Sequence, residues 1–273
     1  MKLQTQIFCI VLLAALATLT AAHTHIRQVV LNGKQYEPAQ CIRPYGKRYS
    51  YPVLNIDGPE MKCGYAGGEP GTTMTCPATA LGSQMSLRWN SELDIKNQNV
   101  IAENHLGSCL VYMAPLASNG LGDVWFKIFE EGYNNKTKEW CNQKLRRERG
   151  YLNFTLPSNI PPGDYLVRGE IITLQSARER HSVNPKLGVQ LYINCAQIRL
   201  SGEGRGESDA KKLLPPGVAF PGAYKDTDPG MLIDLKKSNP DDYQIPGPKI
   251  DTTIFGRPGG EGGGEKCPKK KRS

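Results

Sequence analysis

Two runs decide the architecture: DYLVRGEIITL at Asp164–Leu174 and VQLYINCAQIRL at Val189–Leu200. Both are rich in β-branched and aromatic residues and free of proline, the composition of strands rather than helices. Working outward, Tyr151–Leu156, Val124–Phe129, the long apolar-rich run Leu106–Met113, the alternating Gln84–Trp89 and Ile26–Leu31 read the same way, the last ending at Asn32-Gly33. Gly, Pro and Asn separate them, no convincing amphipathic helix stands out and no internal repeat is visible. Strands at this spacing predict an all-β chain folded as an antiparallel β-sandwich with long loops. The longest irregular stretches, 34–83 and 202–230, are expected to be packed loops.

The two ends of the chain have a different character. Lys2, the apolar run Ile7–Leu16 and the small-residue segment Leu19-Thr20-Ala21-Ala22 form the n-region, h-region and cleavage site of a secretory signal. The predicted organisation is a signal peptide over 1–22, one β-sandwich domain over 23–250 and a Gly-rich basic tail over 251–273 that cannot bury a core. No stretch approaches the roughly 20 apolar residues of a transmembrane helix. The net charge of +8 suggests nucleic acid until it is divided along the chain. Residues 256–273 hold six basic and two acidic side chains and Lys2 leaves with the signal, so the domain carries only about +3 and no nucleic-acid partner is expected.

Of eight cysteines, Cys9 leaves with the signal, and the remaining seven are scattered without a C-x-x-C pair, which argues for disulfides in an oxidising compartment rather than for zinc. Seven is odd, and Cys267 in the tail is the candidate unpaired thiol. Asn135-Lys136-Thr137 and Asn153-Phe154-Thr155 are glycosylation sequons, in keeping with secretion.

Histidine is scarce: His23, His25, His105 and His181 are the whole inventory. After cleavage behind Ala22, His23 becomes the N-terminal residue and offers two nitrogens, its imidazole and an α-amine of ordinary pKa about 8 that a metal can deprotonate at neutral pH. A second imidazole, which His105 is placed to supply, completes a three-nitrogen set suited to tetragonal copper rather than tetrahedral zinc. Taken by themselves, an incidental terminus and a strand-end histidine would read the same way.

A resemblance bears on that choice. His23-Thr24-His25-Ile26 followed by Val29-Val30-Leu31-Asn32-Gly33 resembles the mature N-terminus of the family nine auxiliary-activity lytic polysaccharide monooxygenases, formerly family 61 glycoside hydrolases. Asn104-His105-Leu106-Gly107 with Leu110–Met113 resembles the segment bearing that family's second copper histidine, and Gly122–Ile128 the strand after it. Ile160–Arg168 with Glu170-Ile171-Ile172, and Gln190–Ile198 with its tyrosine, match further runs, as do Phe220–Tyr224 through Asp228-Pro229-Gly230 and Tyr243–Pro248. The similarity spans His23 to about Ile250. It implies an immunoglobulin- or fibronectin-III-like β-sandwich with a flat copper-bearing face.

Residue by residue, the resemblance implies one copper held by His23 and His105 with Tyr192 in the axial position and Gln190 as a hydrogen-bonding amide beside it. Gln190 and Tyr192 are two apart on a strand, so their side chains leave the same face. His25 is expected to point away from His23 as a structural or surface residue. Cys63 and Cys195 match the family's disulfide positions; Cys41, Cys76, Cys109 and Cys141 receive no pairing. There are departures too: Ser108 and Cys109 follow Gly107 where the family commonly has His-x-Gly-Pro, and Leu174-Gln175-Ser176-Ala177 stands where it has a second histidine, "LHSA". Gln175 takes that role, or His181 folds back from the longer loop 178–188, or the role is absent.

The activity implied is copper-dependent oxidation of a β-1,4-linked glucan at C1 or C4 by a secreted, extracellular monomer, with an external electron donor and dioxygen or hydrogen peroxide. No paired-carboxylate site stands out among the matched motifs, which argues against hydrolysis. A non-catalytic copper carrier using the same brace and a cell-wall structural protein are the alternatives, separated by product analysis and copper affinity.

Overall fold

A computed structural model of the chain describes residues 23–255 apart from 45, 66, 68–73, 92–98 and 203–213. The expected signal segment, the tail beyond Phe255 and Cys267 lie outside the described residues. Eleven strands are described: β1 (His25–Leu31), β2 (Lys34–Gln35), β3 (Cys76–Ala80), β4 (Gln84–Asn90), β5 (Cys109–Pro115), β6 (Phe126–Glu131), β7 (Tyr133–Asn134), β8 (Glu139–Trp140), β9 (Tyr151–Thr155), β10 (Gly163–Thr173) and β11 (Gln190–Ser201). One sheet runs β2-β1-β4-β9, the other β3-β11-β10-β5-β6, and β7-β8 is a small separate hairpin. All pairings are antiparallel except β3 on β11.

The two sheets bury their strands differently, and the sequence pattern follows. In β4 and β9, buried Met85, Leu87, Leu152 and Phe154 alternate with more exposed residues, because one face packs inward and the other meets solvent. In β5, by contrast, every residue from Cys109 to Ala114 is buried. Val111 and Met113 face the core shared with the four-stranded sheet, where Ile26, Leu87 and Trp89 meet Val167, Ile171, Ala196 and Ile198. Leu110, Tyr112 and Ala114 face a second core, closed by Val53, Met61, Trp125, Phe220, Tyr224 and Met231 from the long connections. A sheet covered on both faces favours apolar-rich runs, the property of Leu106–Met113 in the sequence and above all of its second half, Cys109–Met113.

Three expectations are corrected. Cys76–Ala80, inside the stretch read as irregular, is a strand: it pairs with β11 and is tethered by the Cys41–Cys76 disulfide, constraints that short, Pro-containing CPATA does not announce. A helix does occur, α1 (Cys141–Arg147), too short to show a periodic apolar stripe. The segment 251–255, assigned to the tail, forms a 3-10 turn with Ile254 buried in the main core and its carbonyl accepting from the amides of Ser158 and Asn159.

Candidate metal centre

His23 lies two residues before the start of β1, which is drawn across to the other sheet: Ile26 N donates to Asn194 Oδ1 of β11 at 2.9 Å, and Asn194 is buried. β11 also carries Tyr192, so this bond brings the first residues of β1 toward the strand that bears the phenol. His23 is partly buried, its ring 4.4 Å from that of Tyr51, which is 53% exposed. His25, two residues on, is fully buried edge-to-face against Tyr49 at 4.9 Å. Burial, then the Arg27 charge, lowers its pKa to about 4, against the opposing effect of a hydrogen bond to the Asn90 backbone carbonyl. Of the structural and surface alternatives for His25, the structural one holds.

His105 lies just before β5, 7% exposed, with Nδ1 2.9 Å from Asn104 Oδ1. An amide oxygen only accepts, so Nδ1 carries the proton and Nε2 keeps its lone pair. Its ring centroid is 6.3 Å from that of Tyr192. Burial, then the nearby His23, lowers the His105 pKa to about 4, and burial also lowers that of His23. Both imidazoles are therefore neutral at pH 7, the form that ligates metal. Burial holds the Tyr192 phenol well above its ordinary range, so it stays protonated.

Gln190 and Tyr192 do share a face, and they touch: the Tyr192 hydroxyl donates to Gln190 Oε1 at 3.2 Å. The same oxygen accepts from Gln175 Nε2 at 2.8 Å. Gln175 Oε1 is buried and makes no hydrogen bond among the described residues. His181 lies elsewhere in its loop, Nδ1 3.3 Å from the Leu187 carbonyl, lining a surface depression with Asn55, Asp57 and Asp226. Its contacts are with those segments rather than with the Gln175–Gln190–Tyr192 chain.

These residues suit copper by their donor chemistry. Among the described residues no group of three or more His, Cys, Asp and Glu side chains could hold a metal, so no carboxylate- or thiolate-rich centre competes. Two neutral imidazoles and a neutral phenol remain, a set with nitrogen preference that lacks one strong donor. An α-amine at His23 would supply such a donor in a chain cleaved before that residue.

Cys63 and Cys195 are disulfide-bonded, their Cα atoms 5.2 Å apart, which ties the 53–65 segment to β11 three residues beyond Tyr192. Cys41–Cys76 and Cys109–Cys141 are the two pairs that the sequence left open. Asn135 is exposed in the turn between β7 and β8; Asn153 is exposed on β9, hydrogen-bonded to Ser86 Oγ. Tyr51 beside His23, Asn194 bonded to the start of β1 and Asn142 bonded to the His105 carbonyl were not marked by the sequence. An isolated tyrosine in a loop and single asparagines carry no motif, and only tertiary proximity marks them.

The sequence profile of Auxiliary Activity family 9 (formerly GH61) matches residues 23–243. An AA9 family lytic polysaccharide monooxygenase A from Armillaria gallica is 35% identical over 252 residues, covering 92% of this chain and 95% of that protein. One from Aspergillus niger is 33% identical over 250 residues, covering 91% of this chain, which spans 57% of the longer Aspergillus protein. Among solved structures, CvAA9A superposes with a TM-score of 0.73 at 31% identity, covering 84% of this chain and 97% of that one. A structure titled a cellulose-active polysaccharide monooxygenase from M. thermophila gives 0.64 at 26% identity, covering 84% and 98%. Profile, relatives and fold agree over the same β-sandwich: the chain belongs to Auxiliary Activity family 9, the copper-dependent lytic polysaccharide monooxygenases.

Proposed function

We propose that this chain, once exported and cleaved before His23, is a monomeric copper monooxygenase that hydroxylates C1 or C4 of a β-1,4-linked glucan and so breaks the chain. The observation that carries the reading is the meeting of His105, Tyr192, Gln190 and Gln175 in one hydrogen-bonded and packed cluster coupled to His23. The cellulose activity named for the M. thermophila protein supports the substrate class.

Copper held by His23 and His105 would accept an electron from an external donor and activate dioxygen or hydrogen peroxide for removal of hydrogen from the sugar. The chain's own residues set the surroundings. Neutral His105 offers Nε2 because Asn104 fixes its proton on Nδ1. Tyr192, protonated and hydrogen-bonded to Gln190, would offer the metal a neutral phenol rather than a phenolate. Gln190 Oε1 is saturated by two donors, which orients its Nε2 away from them as the amide donor for an oxidant. Gln175 holds Gln190 in that orientation without titrating. Tyr51, half exposed beside His23, presents a ring on which a sugar can stack. Asn135 and Asn153, exposed sequons, are proposed sites of N-glycosylation on the exported protein.

Mass spectrometry of soluble products from copper-loaded protein beginning at His23, cellulose and ascorbate tests the reading. Aldonic acids or 4-keto sugars are expected. Full copper loading with no oxidised product from any β-1,4-glucan would overturn it.

A further inference from the structure

The segment that carries His105 is strung along β10. Leu174 N donates to Leu106 O and Ile172 N to Ser108 O, each at 2.8 Å, so 106–108 prolongs the β5–β10 ladder. Gly107 makes this close approach possible: its φ is +155°, and a Cβ there would lie 2.2 Å from Ile172 O. The carbonyl of His105 itself falls beyond the ladder. Its donor is the side chain of Asn142, whose Nδ2 reaches His105 O at 2.8 Å and Ile172 O at 3.0 Å. Asn142 is 1% exposed and sits on α1, where its neighbour Cys141 is disulfide-bonded to Cys109 at the start of β5.

We infer that Asn142 is a positioning residue for the copper ligand His105, held in place by the Cys109–Cys141 disulfide. One amide nitrogen with two hydrogens joins the ligand's own carbonyl to a carbonyl of the central strand β10. That link fixes the height of the His105 backbone over the sheet, and with it the reach of Nε2. Few side chains can do this: aspartate is isosteric but has no donor when ionised, and serine has one hydrogen and a shorter reach. Removing the donor leaves two buried carbonyls short of a partner, which the loop relieves by moving. The departure from the family's pattern at Ser108-Cys109 acquires a purpose here, since Cys109 supplies the tether that holds Asn142.

The inference rests on the copper reading of His23 and His105, and its test separates the two. Wild type, Asn142→Asp, Asn142→Ser and Leu145→Ala, all beginning at His23, are titrated with Cu(II) against a chelating indicator. Their electron paramagnetic resonance spectra are recorded well below each apo protein's unfolding midpoint. Leu145 lies on the same helix and is buried in the main core, and its apolar side chain can donate nothing to the His105 carbonyl, so its variant reports loss of packing. Both Asn142 variants are expected to bind copper about 10–100-fold more weakly, the usual size of an outer-group effect, with altered hyperfine splitting. Leu145→Ala is expected to lower the unfolding midpoint and leave affinity and spectrum unchanged. If Asn142→Asp does not fold, Asn142→Ser carries the same comparison. Asn142 variants that match wild type within twofold, or a Leu145→Ala that weakens copper as much as they do, overturn the inference while leaving the copper reading intact. Wild type that takes up no copper overturns both.

Discussion

The five-stranded sheet carries a polar cluster on each face, and the two are built on opposite principles. Toward the second core, Arg168 and Glu170 of β10 are both fully buried and paired at 2.7 Å. Tyr224 donates to the same Glu170 oxygen at 2.7 Å and lies 3.0 Å from the Tyr112 hydroxyl, while Arg168 Nε donates to the Met61 carbonyl and its guanidinium stacks 3.9 Å from the Phe220 ring centre. Toward the first core, at the end of β11, Gln190 and Tyr192 meet Gln175 and His105 beside partly exposed His23. The sealed cluster contains full charges, compensated within the protein. The side chains of the open cluster carry none at neutral pH; they are polarised neutral groups grouped beside partly exposed His23. One makes the long C-terminal connection fold back over the sheet; the other keeps its chemistry available.

The comparison breaks most visibly at Glu170. Glu170→Gln leaves the Arg168 charge buried without its counterion and should cost about 3–5 kcal/mol in chemical unfolding. The Cu(II) spectrum of the folded fraction should be unaltered; a changed spectrum would show that the two faces are coupled through β10. The reverse experiment is His105→Ala, which removes one of the proposed nitrogen ligands. Copper affinity should fall by more than the 10–100-fold typical of groups outside the ligand set, with little loss of stability, as read by competition titration and calorimetry. Unchanged affinity would remove His105 from the ligands.

Smaller effects sharpen the picture of the open face. Gln190→Ala deletes the amide that bridges Tyr192 and Gln175, and oxidised-oligosaccharide yield should drop about 10–100-fold at full copper loading. Gln175→His restores a titratable donor next to Gln190, so yield should rise by less than that range, measured by the same product analysis across pH 5–8. A yield that responds to His181→Ala and not to Gln175→His would move the role to the neighbouring loop. The smallest effect is expected from His25→Phe: the residue is fully buried with its ring against Tyr49, and the copper spectrum should be indistinguishable from wild type.

Much of this organisation is legible in the residues themselves. Alternation in Gln84–Trp89 and the apolar-rich run Leu106–Met113 separate a sheet with one wet face from a sheet with two dry ones, because burial dictates which positions tolerate polar side chains. The strand period alone puts Gln190 and Tyr192 on one side of β11. Scarcity of histidine, a signal-like segment ending at Ala22 and the family's ordered motifs point to His23 and His105 in the sequence itself. Strand composition, periodicity and motif order are local properties, and a local reading recovers them.

What only the tertiary structure decided is who meets whom across long separations. Cys41 pairs with Cys76 and Cys109 with Cys141, although neither spacing distinguishes these pairings from the alternatives. Asn142 reaches the carbonyl of His105 and Asn194 the amide of Ile26, bonds between residues that share no motif. Gln175 lies against Gln190 while His181, six residues on, turns to another surface. The physical reason is common to all of them. A single buried polar atom or thiol leaves no periodic signature, and its partner is fixed by where two sheets and their connections close around it, a property of the whole packed chain rather than of any segment within it.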